Sequence, residues 1–276
     1  MGRLQDDFAS LVAAGDETDL ARAALEIARI GYPELDPDRS LRQLDALAEA
    51  VRPRIGAGLS IEAATAAVTG YLFGDCGFRG NQDEYYDPRN SYLNDVLERR
   101  MGIPISLSVV LLEVGRRVGL PLEGVGFPGH FLVRVAGRGG PLLLDPFFGG
   151  RPIDEPALLA RYRAFRGDAV PALPPDALEP TRTPGILTRI LRNLLRTYLA
   201  GNDHERALLA VDLLLVLLPR SADEVRVRGL IYEHLECFGA ALQDFRRYLE
   251  LAPGAPDAAQ FAERITRLAR QSATIH

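Results

Sequence analysis

Residues 101–145 read MGIPISLSVVLLEVGRRVGLPLEGVGFPGHFLVRVAGRGGPLLLD, and their order sets the fold class. Gly102-Ile103-Pro104 breaks the chain, and a helix is expected from about Ser106, with Leu107, Val110, Leu111, Val114 and Val118 facing inward. Gly119-Leu120-Pro121 ends it. Three short β-like runs follow, LEGVG, HFLVRV and LLLDPF, joined by Gly- and Pro-rich turns. Helix followed by adjacent strands makes this stretch α+β.

Upstream, the loop GDCGFRGNQDEYYDPRNS runs into a second helix, YLNDVLERRM. Asn90 or Ser91 is a ready N-cap for it, and Leu93, Val96 and Leu97 form its apolar face. Earlier still, Leu20, Ala24, Ile27 and Ala28 recur at helical spacing, as do Leu41, Leu44, Leu47, Ala48 and Val51. Residues 1–70 therefore read as an N-terminal helical part of a core domain whose α+β body spans 71–166. Five prolines between Pro171 and Pro184 make 167–185 an expected extended linker.

Residues 186–272 are helical again and carry an internal repeat. Pro219 and Pro253 lie 34 positions apart, and at that offset Tyr198 matches Tyr232, Ala207 matches Ala241, and Val211 matches Phe245. A period of 34 with this pattern resembles the tetratricopeptide repeat. In the second copy Gly229 lets paired helices approach closely, Tyr232 packs between them, Ala241 is small at their crossing, and Pro253 closes the second helix. The first copy has Leu195 where glycine is expected, so it is the weaker match. Two copies are fewer than the three an independent stack needs, so this segment is expected to dock on the rest of the chain.

Composition excludes several classes. Of 276 residues 47% are hydrophobic and 25% charged, an ordinary globular balance. The net charge is −5 and every basic residue is arginine, with no basic patch of the kind that marks a nucleic-acid partner. No apolar stretch approaches the ~18 residues of a membrane span, and acids stand where a secretion signal would be hydrophobic, so a cytoplasmic protein is expected. Cys76 and Cys237 are far apart, which rules out a disulfide scaffold, and the scattered histidines and carboxylates form no metal-ligand spacing. No cofactor is expected.

His130 is the only histidine of the middle segment. If the HFLVRV and LLLD runs pair as a hairpin across Ala136–Gly139, the register sets His130 directly opposite Asp145, with Cβ atoms about 4.5–5.5 Å apart. That arrangement orients an imidazole as a general base, or it is a structural His–Asp hydrogen bond. A nucleophile is best placed at a helix N-terminus, where the dipole favours an anion. The helix after Pro104 offers Ser106 there, as nucleophile or as cap, and no thiol. Cys76 is the one thiol in the neighbouring loop. The polar positions Asp83, Tyr85, Asn90 and Ser91 are either binding residues or turn and capping chemistry.

The segment GFRGN…YYDPRNSYLNDVLERRMGIPISLSVVLLEVGRRVGLPLEGVGFPGHFLVRV…LLLDPFFGG, about residues 70–153, resembles the bacterial SirB-type family, a branch of the transglutaminase-like superfamily with tetratricopeptide repeats behind the core. The resemblance implies a papain-like, transglutaminase-type α+β core. In active members of that superfamily a cysteine at a helix N-terminus attacks an amide, a histidine on the next strand is the base, and an aspartate on the following strand orients it. His130 and Asp145 match the last two positions. The cysteine position falls at about Ile105 or Ser106, so the standard nucleophile is missing.

Two functions follow as expectations. One is a protein- or peptide-binding protein that uses a remnant groove at His130, Asp145 and Ser106, the loop around Asp83 to Ser91, and the helical repeats. The other is an amide or ester hydrolase or acyltransferase with His130 as base, Asp145 as orienter, and Ser106 or Cys76 as nucleophile.

Overall fold

The structure is a computed structural model that describes residues 2–56, 58–135, 142–167 and 171–274. By internal packing the chain divides into two compact units, Ala14–Ile190 and Met1–Ala13 together with Leu191–His276.

The first unit is α+β. Helices α2 (Leu20–Ala28), α3 (Pro37–Val51) and α4 (Ile61–Thr69) start at Asp19, Asp36 and Ser60, and each of these side chains accepts a hydrogen bond from a first-turn backbone N–H. Helix α5 (Leu93–Arg99) buries Leu93, Val96 and Leu97. It ends on Arg100 in the left-handed conformation, φ +56°. Helix α6 begins two residues earlier than the spacing suggested, at Pro104, and runs to Arg117. Proline suits the first helical position because its φ is preset and its missing N–H has no intrahelical partner there. Every residue from Pro104 to Gly115 is buried, as expected of a helix apolar on nearly all sides. Val118, read as core, lies just past its end and is only half-buried.

Around α6 runs a five-stranded antiparallel sheet in the order β6-β5-β4-β3-β7. The three apolar runs supply β3 (Leu122–Val125), β4 (Leu132–Val135) and β5 (Leu142–Asp145). Two further pairs, β6 (Arg151–Pro152) and β7 (Pro180–Thr181), form the edges. The pair β1 (Arg79–Gly80) and β2 (Met101–Gly102) makes a separate parallel ribbon. Helix α7 (Glu155–Arg166) covers Val125, Phe127, Leu132 and Leu143 with Leu158 and Tyr162.

The register of β4 on β5 differs from the expected one by two residues. Val133 faces Leu144 and Val135 faces Leu142, so continuing the ladder sets Leu132, not His130, opposite Asp145. Because side chains alternate with period two, a shift of two leaves every residue on its expected face. The turn expected at Ala136–Gly139 lies outside the described residues.

The proline-rich stretch after α7 is not a linker throughout. Pro180 and Thr181 pair with Val125 and Gly124, and Thr181 Oγ1 accepts the Gly126 N–H at 2.9 Å. A proline is tolerated here because β7 is an edge strand, where its missing donor leaves no ladder partner unmet. Helix α8 (Thr183–Ala200) starts directly behind it.

The second unit comprises α1 (Gly2–Val12), the end of α8, α9 (His204–Leu217), α10 (Ala222–His234), α11 (Phe238–Leu251) and α12 (Ala258–Thr274). The first thirteen residues, read as part of the N-terminal helical region, instead group here: α1 packs on α9 and its Phe8 is fully buried. In the repeat, Gly229 brings α10 close to α11, since a Cβ there would fall 2.6 Å from the Phe245 ring. Ala241 and Phe245 are fully buried at that crossing. A buried ion triad absent from the sequence reading joins three helices. Arg228 reaches Asp212 of α9 at 3.0 Å and grips Asp244 of α11 through two bonds of 2.7 and 2.8 Å. Hydrogen bonding to Asp244 drives the Arg228 pKa further upward, while burial pushes the Asp212 carboxyl up. Among the described residues no helix is long and apolar enough to cross a membrane.

Candidate functional site

His130 lies just ahead of β4, in the turn after Phe127. Its N–H donates to the Phe127 carbonyl at 3.0 Å, and Gly129 supplies the left-handed φ of +68° that this turn requires. From there His130 Nε2 comes within 2.8 Å of Asp145 Oδ1 at the end of β5. The structure thus brings the two residues together across the end of the sheet, not as a cross-strand pair. Both are buried, at 8% and 3% exposure. An ionised carboxylate only accepts, so Nε2 carries the proton and, in the neutral ring, Nδ1 keeps the lone pair. Among the described residues Nδ1 has no hydrogen-bond partner.

Two arginines that sequence reading missed hold this pair. Arg161 of α7 donates to Asp145 Oδ2 at 2.7 Å, and the Phe147 N–H donates to Oδ1 at 3.2 Å. Burial pushes the Asp145 carboxyl up, but His130 and then Arg161 outweigh it and hold the pKa below the ordinary carboxylate value. Arg189 of α8 donates to the carbonyls of Phe127 at 2.7 Å and His130 at 2.5 Å, fixing the turn that presents the imidazole. Neither arginine stands in a motif or at a repeating interval, so no local signal pointed to them.

Ser106 is the third helical residue of α6, not its N-cap. It is 2% exposed. Its Oγ accepts the Ile103 N–H at 3.1 Å and donates to the Asn90 carbonyl at 2.5 Å, with the Ile103 carbonyl at 3.1 Å as a second acceptor. The hydroxyl therefore closes the helix start and ties it to the preceding loop, and His130 is not among its partners. Cys76 ends the π-helical turn Gly70–Asp75. Its neighbours are Tyr71 and Arg100, which donates to its carbonyl at 2.5 Å. These share no residue with the contacts of His130.

The loop candidates separate. Asn90 is fully buried. Its Nδ2 donates to the carbonyls of Glu84 at 2.6 Å and Tyr85 at 3.2 Å, and its Oδ1 accepts from Asn81 at 3.1 Å. Asn90 and Ser91 do not cap α5, whose N-cap is Tyr92; Asn90 folds the loop upon itself instead. Ser91 is buried and Asp83 exposed. Tyr85 alone reaches the histidine's surroundings, packing edge-on against Phe147 at 6.0 Å, and Phe147 packs edge-on against the His130 ring at 6.1 Å. Gly80 makes this approach possible: a Cβ there would lie 2.6 Å from the Phe147 ring and 2.7 Å from its carbonyl oxygen.

The rings continue to the surface. Phe148, 48% exposed, stacks on His130 at 6.1 Å and lies under the Arg161 guanidinium at 5.3 Å. Phe165, 58% exposed, covers Gly129, and Tyr86, 64% exposed, packs on Tyr85. Exposed aromatics thus flank a buried imidazole–carboxylate pair whose guanidinium partner is only half-buried.

Comparison with known proteins agrees with this architecture. Residues 38–192 match the family model described as the transglutaminase-like superfamily, and residues 194–266 match a tetratricopeptide-repeat model. Fold and site together define a transglutaminase-like core followed by tetratricopeptide repeats, a class of repeat that generally mediates protein–protein interaction. The chain belongs to the UPF0162 family: it is 46% identical to a UPF0162 protein of Xylella fastidiosa over 88% of both chains, and 35% identical to one of Pseudomonas aeruginosa over 91% of both. Protein SirB1 of Salmonella typhimurium is 28% identical, over 92% of this chain and 93% of that one. The SirB-type resemblance read from residues 70–153 thus extends along most of the sequence.

Proposed function

We propose that this is a binding protein on a transglutaminase-like frame, with the surface around His130 receiving a peptide segment of a protein partner that carries an aromatic or apolar side chain. The observation that carries this reading is the pairing of two facts at one place. Phe148, Phe165 and Tyr86 are exposed around the histidine, while the hydroxyl at the helix start, Ser106, is buried and donated to Asn90. Large exposed aromatics are costly to leave in water and serve as anchors in interfaces. Attack on an acyl group needs a nucleophile within hydrogen-bond reach of the base, and neither Ser106 nor Cys76 is a partner of His130. The helical repeats offer a second protein-binding surface.

The test pairs a binding assay with a labelling assay. A displayed peptide library panned on the whole protein is expected to enrich an aromatic-containing motif whose binding falls at least tenfold in Phe148→Ala. Fluorophosphonate and iodoacetamide probes are expected to give no labelling that depends on His130. Labelling of Ser106 or Cys76 that disappears in His130→Ala would replace this reading with the hydrolase or acyltransferase. Failure of Phe148→Ala to change peptide binding would remove the aromatic surface from it.

A further inference from the structure

His130 presents one nitrogen to the outside. Nε2 is committed to Asp145, so Nδ1 carries the lone pair of the neutral ring and has no partner among the described residues. It is also reachable. Both nitrogens of His204 in the repeats are shut off from water without partners, whereas Nδ1 of His130, on a residue 8% exposed, is not. Asp145 fixes the ring from behind and Arg189 fixes its backbone carbonyl, so this acceptor stands at a set place. A partner that covers the place takes Nδ1 out of water, and the bond is lost unless the partner brings a donor of its own.

The surroundings decide what kind of group can carry that donor. Phe148 lies 6.1 Å from the imidazole with the two planes 24° apart, and Phe147 closes another side edge-on. The Nδ1 lone pair lies in the plane of the imidazole. A flat ring whose donor lies in its own plane, bonded coplanar with the imidazole, is therefore also within 24° of parallel to Phe148, which suits offset stacking. Both phenylalanine rings contribute only carbon, so a second polar atom on the incoming ring would gain no partner from them. Indole meets these conditions: its N–H is in the ring plane, it donates and does not accept, and its apolar face is large. A phenol brings oxygen lone pairs along with its donor, and a phenyl ring brings no donor.

We infer that the side chain received here is a tryptophan of the partner's peptide, its ring N–H donating to His130 Nδ1 and its face lying against Phe148. The inference rests on the binding reading above and narrows its aromatic or apolar side chain to an indole.

Titration of the whole protein, followed by proton NMR, uses two probes: capped Gly-Trp-Gly, and the same tripeptide carrying 3-benzothienylalanine, in which sulfur replaces the ring N–H. A neutral hydrogen bond contributes roughly two- to tenfold in affinity, and the benzothienyl peptide is expected to bind more weakly by that factor. Capped Gly-Phe-Gly and Gly-Tyr-Gly are expected to bind more weakly than the tryptophan peptide. In His130→Phe, which keeps a ring and removes the acceptor, the tryptophan and benzothienyl peptides are expected to bind equally. The comparison in the parent protein decides the matter if that variant fails to fold. Equal affinity of the two peptides in the parent, tighter binding of the tyrosine peptide, or no saturable binding of the tryptophan peptide would overturn the assignment. Phe148→Ala separates this inference from the reading beneath it. Equal affinities in the parent with a tenfold loss of both in Phe148→Ala remove the indole and keep the aromatic surface, whereas tryptophan-peptide binding unchanged in Phe148→Ala removes the surface itself.

Discussion

Arg161 lies 2.7 Å from Oδ2 of Asp145, the oxygen that His130 leaves open. The carboxylate is therefore shared between an imidazole and a permanent cation. In a pair that serves only to raise the basicity of a histidine, the second oxygen would sensibly face neutral donors. A guanidinium there divides the carboxylate's charge between two partners and, with His130, holds the Asp145 pKa below the ordinary carboxylate value.

Arg161→Met keeps the stem and removes the charge. Asp145 is then left buried with its Oδ2 unpaired, and unfolding stability is expected to fall by about 1–3 kcal/mol. Urea denaturation measures it; a variant as stable as the parent would mean the ion pair is idle.

The depressed pKa of Asp145 fixes the sign of a pH effect. A carboxylate whose folded pKa lies below its unfolded value of about 3.9 contributes its full stability above that value and loses it as pH falls through the folded one. The stability gap between the parent and Asp145→Asn should thus stay flat from neutrality down to about pH 4–5, then close toward pH 2. A gap that widens on acidification contradicts the assignment.

In the repeats, Arg228→Met strands Asp212 and Asp244 in the interior, with an expected loss of about 3–5 kcal/mol. Adding Asp212→Leu and Asp244→Leu should recover most of it, because three apolar side chains need no counter-charges. Thermal melts of the single and triple variants decide the point, and equal losses in both would show that the triad is not the cause.

Gly80→Ala forces Phe147 away from the β1 ribbon, and since that ring backs His130 the damage should reach the site. A stability loss of about 1–3 kcal/mol is expected, together with a shifted His130 ring signal in the proton NMR spectrum. An unmoved signal would mean that Phe147 does not position the imidazole.

Much of the architecture was legible because it rests on local signals. Leu107, Val110, Leu111 and Val114 repeat at helical spacing, the three strand runs are bounded by glycine and proline, and the 34-residue period marks the helical repeats. His130 and Asp145 were legible as a pair for a subtler reason: the error in register was two residues, and a period of two forgives it. What stayed hidden depends on distant segments meeting. Arg161 and Arg189 come from helices outside the α+β stretch, and one surface arginine looks like another until something buried faces it. Asn90 and Ser106 were read as separate polar residues, whereas their bond to each other's segment is a tertiary fact. The edge strand at Pro180–Thr181 was masked by its own proline.

The grouping of α1 with α9 has a consequence for biosynthesis. Helix α1 is made before its packing partner, which follows only after all of Ala14–Ile190 has been synthesised. At roughly 5–20 residues per second, Phe8 waits on the order of ten to forty seconds before its burial site exists. During that interval the amphipathic helix lacks the α9 surface that buries Phe8. The nascent chain therefore carries an unpaired apolar helix face for as long as Ala14–Ile190 is being made.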